Sequence, residues 1–452
     1  MTGVTQRLGA FVASIGYRDI PEMCRTAART GVVDCVGVMI AGSREEAPRI
    51  VSRLVPESAS NAYAMEIPSG RRLSPADAAL VNGVAAHALD YDDVALSAHP
   101  SAVLTPVILA VGQTIRADGT EAITAYVAGY EVWAQLQALE PGQLHDRGFH
   151  PTAVLGTIAA AAACARLRGF NADAAAAALG LAASLASGLV ANFGTMTKPL
   201  HVGRAAQAGV LATELVASGF TASPDAIEHR AGFLVAHSPS GKPSLEADLD
   251  LGRVWRLAAS GVNVKRYPTC YATHRAIDSM LGLALRHDFQ PSDVAKVRVL
   301  TGGTQHRMLR NAAPQTALEA KFSMEFAMAA ALIARRVTLA ELSDAFVRRQ
   351  DVRSAFDKVV VTTTEERMEG NETFAPFDQV EVVLRSGAVL SHPPVTHAKG
   401  SWEKPLSVDE HREKFIGCVT PTLGESRTHE LWTALQALDQ LPTLGGLPMA
   451  AQ

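Results

Sequence analysis

Cysteine is scarce in this chain and dispersed along it: Cys24, Cys35, Cys164, Cys270 and Cys418 form no CxxC pair. The usual ligand spacing of a zinc site or an iron–sulfur cluster is therefore missing, and the thiols read as reduced, as in a cytoplasmic protein. An excess of basic charge is missing too. Lys and Arg number 41 against 45 Asp and Glu, a formal net charge of −4, which supplies no broad cationic surface and argues against a nucleic-acid partner. The segments "GLAASLASG" and "GTQ" match neither a dinucleotide-binding GxGxxG nor a P-loop. No DxDxDG calcium loop and no HExxH zinc helix accompanies the acidic residues. Long apolar runs are few. The longest, Ala174 to Gly194, is mostly alanine with Gly180, Ser184, Ser187 and Gly188 scattered through it, which suits close helix packing better than a membrane span. The N-terminal "LGAFVASIG" lacks a basic leader and reads as an amphipathic first helix, not a signal peptide.

What remains is the balance of a globular protein, 48% apolar and 19% charged. At 452 residues the chain exceeds what one core usually organises, so two domains are expected. To about residue 265 the pattern is helix after helix. In "SPADAALVNGVAAHALD", Ser74 is an N-cap, Pro75 the first helical residue and Asp77 the third. "TAVLGTIAAAAACARLRGF" is apolar almost all round and ends in a basic turn, as a buried helix does. From about residue 290 β-branched segments appear: "VAKVRVLTGG", "FDKVVVTTTEE", and "DQVEVVLRSGAVLSH", which reads as a hairpin around Arg385-Ser386-Gly387. "TALEAKFSMEFAMAAALIARR" reads as one long helix between strands, and helix returns after Gly400. The reading is a mainly α protein: a helical domain over 1–267 and 401–452, interrupted by an α+β domain over 268–400.

Four clusters carry the candidate chemistry. "HALDYDDVALSAHPS" puts His87, Asp90, Asp92, Asp93 and His99 around the end of a helix, where the macrodipole disfavours carboxylates. A turn whose aspartates cap amides, a metal site, or acids that orient a base such as His99 all fit that composition. "DRGFHPTAVLG" sets His150 before Pro151 at the mouth of the alanine helix, as a structural hydrogen-bonding residue or at a place favourable for a bound carboxylate. "NFGTMTKPLHVGRAAQAG" holds Lys198 extended before Pro199, with the helix beginning at the proline and His201 and Arg204 a turn apart behind it. Flanked by apolar helices, Lys198 needs a carboxylate partner, from substrate or from protein. "VKRYPTCYATHRAID" crowds Lys265, Tyr267, Cys270 and His274 at the domain boundary, with Cys270 a lining residue and not a nucleophile. Together these groups suit an anionic substrate with more than one carboxylate and proton transfer at a carbon next to one of them.

In this order and over nearly the whole chain, "HALDYDD", "AHPS", "GYEV", "RGFHPTAVLG", "TKPLHVGRAAQAG", "GFTA", "VKRYPTCYATH", "EAKFS" and "KGSWEKPLS" resemble the MmgE/PrpD family. That family includes 2-methylcitrate dehydratase, cis-aconitate decarboxylase and iminodisuccinate epimerase. The resemblance implies a large all-helical domain with a smaller α+β lid domain, a homodimer, no metal or organic cofactor, and an interdomain cleft for di- or tricarboxylates. Carried over by motif, it places Asp90, His99, His150, Lys198 and Lys265 in the pocket. The decarboxylase-type pattern has a histidine where this chain has Cys270, and a tyrosine before "EAKFS" where "RMLRNAAPQ" has none. The expectation is a cofactor-independent hydro-lyase of the 2-methylcitrate dehydratase kind. An iminodisuccinate-type epimerase, a cis-aconitate decarboxylase and a non-catalytic polycarboxylate binder are the alternatives. In it Lys198, Lys265 and Arg204 hold carboxylates, His99 and His150 form the acid–base pair, and Asp90 orients one of them. Asp93, His201, Tyr267, Cys270 and His274 complete the binding surface.

Overall fold

The computed structural model describes residues 3–245, 249–369 and 373–451. The chain forms two units, the first from residues 1–264 and 409–452 and the second, inserted between them, from residues 265–408.

The first unit is built from helices α1 (Val4–Ser14), α2 (Glu22–Gly42), α3 (Glu46–Leu54), α4 (Pro75–Ala88), α5 (Pro100–Ile115), α6 (Gly119–Ala138), α7 (Pro151–Leu167), α8 (Ala172–Leu185) and α9 (Thr197–Ala217). A short antiparallel ladder of β1 (Ala64–Met65) and β2 (Arg72–Leu73) precedes α4. Ser74 caps α4 by accepting the Asp77 amide at 3.1 Å, with Pro75 at the first helical position, where a missing N–H costs nothing. Helix α7 is buried throughout except at Arg166, whose Nε donates to the Ile15 carbonyl at the end of α1 at 2.7 Å. The apolar stretch from Ala174 does not continue as one helix: α8 stops at Leu185, and Ala186 is extended. Among the described residues no helix is long and apolar enough to cross a membrane.

Small residues let these helices approach closely. Gly83 of α4 faces Gly203 of α9, and a Cβ on Gly203 would lie 2.3 Å from the Leu80 carbonyl oxygen. No rotamer relieves a clash with backbone. The closing segment of the unit, helices Val408–Leu423 and Glu425–Gln436, is tied in by Lys414, whose Nζ lies 2.7 Å from Asp34 Oδ1 on α2 and donates to the Tyr91 carbonyl at 2.9 Å.

The second unit is α+β. Its four-stranded sheet has the order β4-β3-β5-β6, from β3 (Val294–Gly302), β4 (Val359–Thr364), β5 (Gln379–Leu384) and β6 (Val389–Ser391). β3 and β4 run parallel with Val297 opposite Val359, and the other pairs are antiparallel. β5 and β6 form the expected hairpin, its turn closed by Gly387 at φ +88°. Val297, Val299, Val380 and Val382 face a core shared with Ile277, Met280, Met324 and Phe326 of helices His274–Arg286 and Met324–Ala334. The segment read as one long helix is two. Ser323 caps Met324–Ala334 by accepting the Phe326 amide at 3.1 Å, so the short helix Ala317–Ala320 ends before it. The Lys321 carbonyl, left outside both helices, accepts the Cys270 amide at 2.8 Å.

The close α4–α9 crossing makes Gly203→Ala a destabilising change, by about 1–3 kcal/mol as for an overpacked core. Gly417, exposed in the helix Val408–Leu423 with nothing within 4 Å of an added Cβ, is the counterpart, and Gly417→Ala should stabilise by about 0.5–1 kcal/mol. Urea unfolding of the two variants beside wild type checks both signs.

Candidate active site

Three residues of the site stand immediately before prolines in the first turns of helices. His99 precedes Pro100 at the start of α5, His150 precedes Pro151 at the start of α7, and Lys198 precedes Pro199 in the first turn of α9. Neither histidine makes a side-chain cap hydrogen bond to its helix. Both rings are left for other partners. Lys198 differs from the expectation in one detail: α9 starts at Thr197, so Lys198 lies inside its first turn, its amide donating to the Thr195 carbonyl at 3.1 Å.

The loop between α4 and α5 carries the acids. Asp90 takes a left-handed backbone (φ 52°), which aspartate tolerates better than most residues and which turns the chain away from the helix axis. Val94 then exchanges backbone hydrogen bonds with Asn263, and a tight turn through Leu96 and Ser97, both at positive φ, returns the chain to His99.

Five ionisable side chains meet around this loop. Lys198 Nζ lies 2.6 Å from Asp90 Oδ1, and both residues are largely buried. His87, at the end of α4, has its Nδ1 2.9 and 3.0 Å from the two oxygens of Asp92. His99 Nδ1 lies 3.0 Å from Asp92 Oδ2 and 3.0 Å from the Asp93 carbonyl. Thus the carboxylate on Nδ1 of His99 belongs to Asp92, and not to Asp90, which the sequence reading had in the orienting role. Burial pulls the Asp92 carboxyl up, but His87 and His99 outweigh it and hold it well below the usual carboxylate range. His87 is held down to about 4, first by burial and then by Lys198 and His99 against the pull of Asp92, so its ring is neutral at pH 7.

His150 sits close by, its ring centroid 6.2 Å from that of His87 and 4.8 Å from Phe193, and its Nδ1 3.2 Å from Nδ1 of His201. Phe193 also lies beneath Lys198, 5.3 Å from Nζ to the ring centroid. Burial, then Lys198 and the neighbouring rings, lowers the pKa of His150 well below normal, and burial and Lys198 lower that of His201. The structure therefore brings Asp90, His99, His150, Lys198 and His201 together. It gives partners to His87 and Asp92, which the sequence reading named only as members of the acidic cluster, and it adds Phe193.

Two expected site residues lie elsewhere. Asp93 is fully buried, with Ser101, Asp92, Asp34 and Lys414 as its polar neighbours. Arg204 is exposed and bonded to Gln207, which in turn donates to Asp77 near the start of α4. Asp77 and His87 are ten residues apart, about 15 Å along a helix, so Arg204 belongs to the far end of the α4–α9 pair.

The remaining candidates belong to the second unit. Lys265 and Tyr267 are buried, Tyr267 donating to Asp278 at 2.6 Å and packing its ring 5.1 Å from His274. His274 Nε2 is 3.2 Å from the Thr269 carbonyl, and Cys270 is half-buried before the short 3-10 turn Tyr271–Thr273. All five cysteines are free thiols.

His87, Asp90, Asp92 and His99 offer ligand atoms within 4.8 Å of one another, the donor types of a divalent-cation site. Here Asp90 is taken by the Lys198 ammonium and Asp92 by two Nδ1 atoms, so an entering cation would meet a positive charge and two committed imidazoles.

Residues 6–246 match the MmgE/PrpD N-terminal domain and residues 267–440 the MmgE/PrpD C-terminal domain. The chain belongs to the MmgE/PrpD family and is a lyase-type enzyme. Among its relatives are the cis-aconitate decarboxylases of Homo sapiens, 28% identical over 98% of this chain and 93% of that protein, and of Mus musculus, 26% identical over 98% and 92%. The Aspergillus terreus cis-aconitate decarboxylase is 24% identical over 99% and 95%.

Burial, with Asp92 and Asp34 adding to it, raises the Asp93 carboxyl from 3.8 to about 8. Across that window the native chain holds a proton that the unfolded chain has released. The stability this group contributes is thus full below about pH 4 and is lost as pH rises towards 8. Asp93→Asn should remove that part of the slope, so its unfolding free energy gains on wild type between pH 5 and 8. Urea midpoints at both pH values test it: parallel profiles would show that Asp93 is ionised in the native state.

Proposed function

We propose that the protein is a cofactor-independent lyase for a di- or tricarboxylate, removing water from a hydroxy-tricarboxylate of the 2-methylcitrate type by proton abstraction α to a carboxylate. The observation that carries the reading is the pair of proline-anchored histidines, His99 and His150, flanking the buried Lys198–Asp90 ion pair. In the reaction one imidazole takes the α-proton, the C–H electrons form the alkene, and the departing hydroxyl leaves as water with a proton from the other group. Negative charge growing on the substrate carboxylate is met by Lys198, fixed by its ion pair before substrate arrives. Burial lowers the pKa of His150, and the negative charge of a bound substrate raises it again, so that this ring can carry the proton that leaves with the hydroxyl. The part of Lys265 in holding a carboxylate rests on its motif alone.

A second reading is favoured by the relatives that carry the name cis-aconitate decarboxylase. There the C–C bond to a carboxylate breaks, CO2 leaves, and the electron pair is protonated on carbon by the same acid. Cys270 and the tyrosine-free "RMLRNAAPQ" favour dehydration over it.

Proton NMR in deuterated buffer with 2-methylcitrate, citrate, cis-aconitate and iminodisuccinate in separate tubes decides. An alkene from 2-methylcitrate or citrate is the expected result. Loss of CO2 from cis-aconitate would establish the decarboxylase, and deuterium entering iminodisuccinate with racemisation would establish an epimerase. On the active substrate His99→Ala and His150→Ala should each lower kcat by about 10²–10⁴-fold with the fold intact. Full turnover in both would remove the acid–base pair from the mechanism.

A further inference from the structure

Two imidazoles share one buried carboxylate. Asp92 is fully buried, and its oxygens lie within 3.0 Å of Nδ1 of both His87 and His99. The other neighbour of His99 Nδ1 is the Asp93 carbonyl, also 3.0 Å away. Carboxylate and carbonyl oxygens only accept, so each Nδ1 must carry the hydrogen. A neutral imidazole has one N–H, so a ring bonded in this way carries its lone pair on Nε2 whenever it is neutral. Those two Nε2 atoms flank Asp90 Oδ1, at 4.0 Å for His87 and 3.9 Å for His99.

We infer that Asp92 is the positioning residue of the reaction: it fixes the Nδ1–H tautomer of His99 and so presents His99 Nε2 as the base, with His87 as the second clamp on the same carboxylate. The inference rests on the proposed use of His99 in proton transfer. Asp92 acts through His99, since its own oxygens are turned inward to the two rings. When Nε2 takes the α-proton, the ring becomes an imidazolium and the fixed negative charge beside Nδ1–H stabilises it. His87 explains why that charge is tolerated. A single imidazole would leave an oxygen of a fully buried carboxylate short of a donor, which costs about 1–3 kcal/mol. His87 supplies the second N–H while its ring stays neutral, adding no cation to compete with His99. Its own Nε2 is buried without a hydrogen-bond partner, a cost expected of a ring held for its Nδ1 side.

The full-length protein labelled with ¹⁵N-histidine tests this without any substrate. Long-range ¹H–¹⁵N correlations report which nitrogen of each neutral ring is protonated, and the spectra of His99→Gln and His87→Asn assign the two rings. His99 and His87 should both be Nδ1–H in the wild type. Asp92→Asn puts one donor among two N–H groups, so at least one ring should switch to Nε2–H. On the active substrate its kcat should fall by about 10²–10⁴-fold, as where a catalytic histidine loses its carboxylate, with KM little changed. His87→Asn keeps a donor at the Nδ1 position and should retain most of the turnover, whereas His87→Leu should follow Asp92→Asn. An Nε2–H tautomer for His99 in the wild type overturns the inference, as does a folded Asp92→Asn with both rings unchanged or with full kcat. The tautomer stands whichever reaction the enzyme runs, so a failed substrate assignment and a failed role for Asp92 give different results. Should Asp92→Asn not fold, Asp92→Ser takes its place, and a folded Asp92→Ser with full kcat overturns the inference.

Discussion

An ionised group inside an alanine-rich bundle must be paired, because taking one charge out of water costs several kcal/mol even after relaxation. That constraint organises the interior of the first unit. Asp34 is met by Lys414, Asp90 by Lys198, and Asp92 by two imidazole N–H groups. Asp93, with carboxylates on two sides, stays protonated instead. Each solution fixes backbone as well as charge. Lys414 also donates to the Tyr91 carbonyl, so the closing helix of the unit holds the loop that presents Asp90 and Asp92. Stability and site geometry are therefore one network, and a substitution at Lys414 would reach the imidazoles through it.

The helix starts provide the second element of order. A residue before proline is pushed towards extended backbone, while the proline begins the helix with its angle already set. His99 and His150 stand at such junctions on α5 and α7, two helices whose apolar sides are sunk in the core. Their rings are positioned by rigid elements and not by loose loop, which proton transfer over hydrogen-bond distances requires.

Much of this was legible in the residues, and the exceptions have physical causes. Ser74-Pro75, the hairpin at Arg385-Ser386-Gly387 and the switch from helical to β-branched segments all follow from local chemistry, and the structure agrees. The cluster His99, His150, Lys198 and Asp90 came from motif resemblance and is drawn together in the first unit. Choosing among the aspartates was beyond sequence, because the left-handed turn at Asp90 decides which carboxylates point inward. His87 and Asp92 meet across a helix end, where neither the 3.6 nor the 2.0 period applies. Arg204 was misplaced for a reason the sequence did contain. Six residues beyond Lys198 is about 600° of rotation at 100° per residue, the far side of α9, whereas His201 at three residues stays within about 60° of the Lys198 face. The break at Ser323 was likewise readable as an N-cap, but the apolar run around it hid the signal.

The state of the rings before substrate arrives bears on how such a site would work. His150 is kept neutral by burial and by the Lys198 ammonium, and Lys198 likewise lowers His201. A substrate carboxylate settling beside Lys198 adds a negative charge to that field. A pair of charges about 4 Å apart interacts by roughly 4 kcal/mol at an effective dielectric of 20, which is several-fold the 1.36 kcal/mol that moves a pKa by one unit. Under the proposed function, binding of a polyanion would therefore raise the proton affinity of the imidazoles around it when proton transfer is needed. The anion is then a part of the catalytic electrostatics and not only the thing acted upon. On this argument the same apparatus would serve dehydration and decarboxylation, because a ring whose proton affinity the substrate has raised can take the α-proton in the first and hold the proton delivered to carbon in the second.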